Sequence, residues 1–106
     1  LRLARIIRNW FVFDLQTKKA TSTLPVGADP DGLAFDAALQ RLYVSAESGV
    51  ITIFDERDRG LQRVGECMFA PNAHSVAVDP STHRVYFPLQ NINGKPVLRI
   101  AVPSDK

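Results

Sequence analysis

The feature that most constrains this chain is that it repeats itself. Leu33-Ala34-Phe35-Asp36 returns as Val76-Ala77-Val78-Asp79, and Arg41-Leu42-Tyr43-Val44 as Arg84-Val85-Tyr86-Phe87, both after 43 residues. Phe11-Val12-Phe13-Asp14 matches Thr52-Ile53-Phe54-Asp55 after 41 residues, the difference being taken up in the loop before Pro71. Val97-Leu98-Arg99-Ile100 stands where the next copy would begin. A period of about forty residues means one supersecondary unit stacked on its own copies, each burying an apolar face against the next.

Within the unit the periodicity is that of strands. Val50, Ile51, Thr52, Ile53 and Phe54 are β-branched or aromatic and lie between Gly49 and Asp55, a run suited to a pleated, half-buried surface. The same reading gives strands at 10–15, 20–26, 32–36, 42–46, 50–55, 62–67, 74–79, 85–89 and 97–102. Leu3, Ile6, Ile7 and Trp10 fit one amphipathic helical turn, but the phase of the repeat favours a strand over 2–7. Asp36 to Arg41 and Asp79 to Arg84 read as tight hairpins opened by an aspartate that accepts hydrogen bonds from turn amides. Glu47-Ser48-Gly49 closes the next hairpin, and Asn93-Gly94 in its longer counterpart suits positive backbone dihedrals.

A four-stranded antiparallel unit of this length is the signature of a β-propeller blade. The expected fold is all-β, about two and a half four-stranded blades across residues 1–106, with copies at about 10–49 and 50–96 and a partial third at 97–102. Propellers close rings of about 4–8 blades, so the chain is expected either to be the remainder of a longer propeller or to complete a ring as a homo-oligomer. Ten strands per chain would make a dimer the first oligomer to test.

Gly27 to Asp36, Arg41 to Ser45 and Gly49 to Asp55 together resemble the YVTN-type surface-layer and YncE-like propeller repeat. In that pattern a glycine and proline precede an inner strand ending in Asp, a Tyr-Val strand follows, and a third strand ends in Asp. His74 to Pro80, Arg84 to Tyr86 and Gly94 to Ile100 resemble the closing blade of such proteins, although Ala73-His74-Ser75 replaces the Pro30-Asp31-Gly32 turn. The resemblance implies ligands at the channel mouth, on the loops leading into the innermost strands, and export to a periplasmic or extracellular location.

Those loops are 27–32 and 68–75, and they carry Asp29, Asp31, Asn72 and His74. Oxygen and nitrogen donors of this kind can hold a divalent ion, which gives the alternative of a metal-dependent, lactonase-like hydrolase. The simpler reading is that Asp and Asn form the turns there and that His74 bonds backbone at a strand entry. The leading function is then a non-enzymatic scaffold that binds a protein or small-molecule ligand, with no cofactor and no catalytic residue.

Other classes find little support. There is no Gly-x-Ser-x-Gly elbow and no phosphate-binding glycine loop. A net charge of +2, from 13 Lys+Arg and 11 Asp+Glu, is too small to attract nucleic acid through the whole-molecule field. The local bias of Arg2, Arg5, Arg8, Lys18 and Lys19 reads as a solvated face. No apolar run approaches the ~18 residues of a membrane span. Cys67 stands alone and reads as a small buried hydrophobe. The aromatics Trp10, Phe11, Phe13, Phe35, Tyr43, Phe54, Tyr86 and Phe87 are expected mostly to pack blade against blade, with some exposed where the ring is incomplete.

Overall fold

The β-branched and aromatic runs form ten strands in a computed structural model of the chain: β1 (Arg2–Ile6), β2 (Asn9–Asp14), β3 (Lys19–Pro25), β4 (Pro30–Asp36), β5 (Arg41–Ala46), β6 (Val50–Arg57), β7 (Gly60–Met68), β8 (Ala77–Val78), β9 (Val85–Ile92) and β10 (Lys95–Ala101). The structure describes residues 2–6, 9–14, 18–57, 60–69, 71–72 and 75–103, with side chains at 18–19 and from Pro25 onward. Every pairing is antiparallel between consecutive strands. The ten strands divide into sheets of three, four and three, β1-β2-β3, β4-β5-β6-β7 and β8-β9-β10, without barrel closure. This is a partial propeller of two and a half four-stranded blades.

The 43-residue echo is visible in the ladders. Tyr43 stands opposite Ile53 and Tyr86 opposite Ile100, so β9-β10 repeats the register of β5-β6. Left-handed backbone recurs in the same phase, at Asp29 (φ 56°) and Asn72 (φ 59°) and again at Gln40 (φ 56°) and His83 (φ 65°). Non-glycine residues take this conformation sparingly, Asn, Asp and His more readily than most. Asn93 (φ 53°) and Gly94 (φ 85°) both turn left-handed in the β9-β10 hairpin, as their pairing leads one to expect.

One strand is shorter than its sequence suggests. Residues 74–79 read as a strand, but the ladder of β8 holds only Ala77 and Val78, opposite Tyr86 and Val85. Continuing that register would set Ser75 against Pro88, which has no N–H to donate, so the ladder has no room to extend past Val76. In the neighbouring sheet the same β9 position is filled by Ser45 of β5, and its ladder to β4 extends to Gly32 and Pro30.

Alternate residues of the central sheet serve two apolar layers. Tyr43 and Ile51 lie with Val85, Phe87 and Leu89 in a buried cluster between the second and third sheets, joined by Ile53, Phe69, Val76 and Val78. Leu42, Val44 and Phe54 form a second cluster on the opposite face with Val26, Leu33 and Leu61. Phe69 meets the Phe87 ring edge-on at 5.4 Å, and the Arg99 guanidinium lies 5.7 Å from the centre of the Phe69 ring. Arg99 also donates to the Phe69 carbonyl at 2.6 Å, tying β10 to the end of β7. Burial of each large side chain in such a layer contributes about 1.5–3 kcal/mol. Close approach near the inner strands requires Gly32, where a Cβ would stand 2.6 Å from Ser45 Oγ and 3.3 Å from the backbone of Ser75.

Two expectations about individual residues need correction. Phe35 is exposed rather than packed between sheets, because it projects from the inner strand β4. Cys67 is likewise exposed, since it lies on β7, the outermost strand, where seven of the nine residues from Gly60 to Met68 face solvent. The side chains of Trp10, Phe11, Phe13, Arg2 and Arg5 lie outside the described set, as does Arg8.

Candidate functional site

Antiparallel strands bring the loops to two ends of the sheets, one where the inner strands begin and one where they finish. At the entry end, β3 leads into β4 through residues 26–29 and β7 leads toward β8 through 69–75. The hairpin at Ala46–Gly49 is held between these two loops. Glu47 N donates to the Asp29 carbonyl at 2.9 Å, and Asn72 N donates to the Glu47 carbonyl at 3.0 Å. Phe69 N donates to the Gly49 carbonyl at 3.0 Å. Gly49 itself has φ 103°, a conformation that residues with a side chain rarely adopt.

The sequence-derived candidates are therefore partly brought together. Asp29 and Asn72 occupy equivalent left-handed positions, both exposed, and are joined through the backbone of Glu47. Asp31 is half-buried at the start of β4 and has partners of its own. His74 lies outside the described residues. Among the described residues no three His, Cys, Asp or Glu side chains gather as metal ligands would. What the entry end offers chemically is a carboxylate and an amide carried on backbone that is fixed by hydrogen bonds.

The exit end carries the more buried polar groups, and sequence reasoning assigned them only turn roles. Asp36 closes its hairpin as expected, its Oδ1 accepting from Ala38 N at 3.0 Å and Leu39 N at 3.2 Å. Its second oxygen does something further: Oδ2 meets His83 Nδ1 at 2.7 Å, across the junction between the second and third sheets. Solvent does not reach Asp36 at all. Burial pushes the Asp36 carboxyl upward, but the His83 side chain and the Leu39 and Ala38 amides outweigh it and hold the group below the usual carboxylate range. An ionised carboxylate only accepts, so His83 presents its proton at Nδ1 and keeps Nε2 for other contacts.

A second exit-end group is the Arg41-Asp55-Arg57 cluster. Arg41 grips Asp55 with Nε to Oδ1 at 2.7 Å and Nη2 to Oδ2 at 3.3 Å, and Arg57 adds Nη2 to Oδ2 at 3.1 Å. Arg41, opposed by burial and reinforced by Arg57, lowers the Asp55 carboxyl. In the third sheet this device is absent, because Arg84 repeats Arg41 while Val102 falls at the place of Asp55. Asp79 repeats the turn role of Asp36, its Oδ1 accepting from Ser81 N at 2.9 Å and Ser81 Oγ at 2.8 Å. The Asp36-His83 pair has two parts of a proton relay, but the nearby Ser81 hydroxyl is turned to Asp79. These carboxylates hold hairpins and blades in place.

No family model and no curated protein sequence matches the chain. Solved structures do share its fold. A β-propeller domain of Cps50 (Swd1) from Myceliophteria thermophila superimposes with a TM-score of 0.66 at 16% identity, over 87% of this chain and 32% of that one. Hydrazine synthase of Kuenenia stuttgartiensis gives a TM-score of 0.66 at 20% identity, over 77% of this chain and 23% of that one. The chain thus spans about a quarter to a third of these structures, and at such identity they share with it a propeller-like arrangement of sheets. No helix among the described residues is long and apolar enough to cross a membrane.

Proposed function

We propose that the chain is a section of a closed propeller of the YVTN-type family, a non-enzymatic scaffold that binds a protein or small-molecule ligand on its entry-end loops. The observation that carries this reading is the chain of backbone bonds from Asp29 through Glu47 to Asn72. Polar side chains on loops held this way are placed before a ligand arrives, and less conformational entropy is lost on binding. The remaining blades come from a longer chain of the same repeats or from further copies, and the family resemblance favours an exported, periplasmic or extracellular setting.

A thermal-shift screen against divalent cations, lactones, sugars and short peptides tests the binding role. A hit that disappears in Asp29→Ser and Asn72→Ser, with the unfolding temperature of both variants close to that of the parent, supports it. Hits that survive both substitutions contradict it. Lactone turnover that a chelator abolishes would establish the hydrolase reading instead.

A further inference from the structure

We propose that the open face of β8-β9-β10 is the seat of a further blade of this same repeat, and that Asp79 is its anchor. The inference rests on the propeller reading but not on any ligand. It follows from comparing equivalent residues that differ in whether a neighbour covers them. In the central sheet, Tyr43 and Ile51 are 4% and 2% exposed because Val85, Phe87 and Leu89 of the next sheet lie on them. In the third sheet the ladder places Tyr86 where Tyr43 stands, Leu98 where Ile51 stands and Ile100 where Ile53 stands. There Leu98 is 56% and Ile100 49% exposed, and Tyr86 is half-buried. The same apolar pattern is present, without its cover.

The polar contact follows the same rule. Asp36 is fully buried because the next hairpin delivers His83 to its second oxygen, whereas Asp79, at the repeat-equivalent position, is half-buried. The chemistry of the occupant is thereby specified. It presents an apolar alternation like Val85, Phe87 and Leu89, and it carries a hydrogen-bond donor at the left-handed hairpin position that His83 and Gln40 hold in this chain. The sheet also has three strands where its neighbour has four, so the occupant arrives after one strand that pairs along β10.

The test repeats residues 60–103 once more after Lys106 of the full chain, so that the added Gly60 follows Ile100 at the distance at which Gly60 follows Ile53, and supplies β7 through β10 again. The expected result is that Leu98→Lys leaves the urea midpoint of the 106-residue chain unchanged at a dilution where that chain sediments as a monomer. In the extended chain it lowers that midpoint by roughly 1 M. Asp79→Ala and the His83→Ala change in the added copy are expected to lower the extended chain no further together than Asp79→Ala does alone. Equal effects of Leu98→Lys in both chains, or independent effects of the Asp79 and His83 changes, overturn the proposal. Should the extended chain fail to fold, the 106-residue chain decides. Its self-association in sedimentation is expected to be lost in Ile100→Lys, and unchanged association overturns the proposal. The ligand screen can fail without altering either result, and these experiments can fail while the loops still bind.

Discussion

Replacing Asp36 and His83 singly and together tests whether the exit-end hairpins hold adjacent blades in register. Asp36→Ala removes two turn bonds, from Ala38 and Leu39, and the contact with His83. Loss of a turn or cap acceptor costs about 1 kcal/mol. A hydrogen bond to a charged acceptor contributes about 1.5–3 kcal/mol. The low end applies because the His83 side chain is 35% exposed. Asp36→Ala should therefore cost about 2.5 kcal/mol and His83→Ala about 1.5 kcal/mol. The double variant should cost no more than Asp36→Ala, a coupling of about 1.5 kcal/mol. Urea unfolding at pH 7 followed by far-ultraviolet circular dichroism reads all three. Additive losses, with a coupling below about 0.3–0.5 kcal/mol, would refute the cross-blade role.

Three further outcomes are expected. Phe87→Ala, which empties a site 2% exposed between the two sheets, should cost about 3–5 kcal/mol, a large share of the ~5–15 kcal/mol that holds a domain together; thermal unfolding reads it. Thr52 is fully buried with a hydroxyl that finds no partner among the described residues, so Thr52→Val should raise stability by about 1 kcal/mol in the same urea assay. Asp36 and Asp55 both titrate below their ordinary value in the folded chain. Their stabilisation is complete above the unfolded carboxylate pKa of about 4 and is lost as pH falls through the lowered folded values. Asp55→Asn should flatten that acid limb of a urea-midpoint profile between pH 2 and 5, and an unchanged limb would remove Asp55 from the account.

The sequence revealed the architecture because strand period, turn chemistry and repeat phase agree, and all three are local or periodic signals. The Asp36 turn, the Asn93-Gly94 hairpin and the strand at Arg2–Ile6 were legible for that reason. Long-range consequences were less so. The partnership of Asp36 with His83 spans 47 residues, and only the coincidence of two hairpins at a 43-residue spacing hinted at it. The limit that Pro88 sets on extending β8 comes from a residue on another strand. The exposure of Cys67 followed from its place on the outermost strand, which composition does not encode. At the entry end, the donors Asp29 and Asn72 could be named from repeat phase, whereas their link through Glu47 is a backbone matter that no side-chain motif records.

The exposed apolar face of β8-β9-β10 is proposed to be covered by a further blade. Sedimentation equilibrium of the 106-residue chain across a hundredfold dilution tests it most directly. Masses above the 11.8 kDa of one chain are expected, rising with concentration or fixed at a whole multiple. A cooperatively folded species that remains at 11.8 kDa throughout would contradict it.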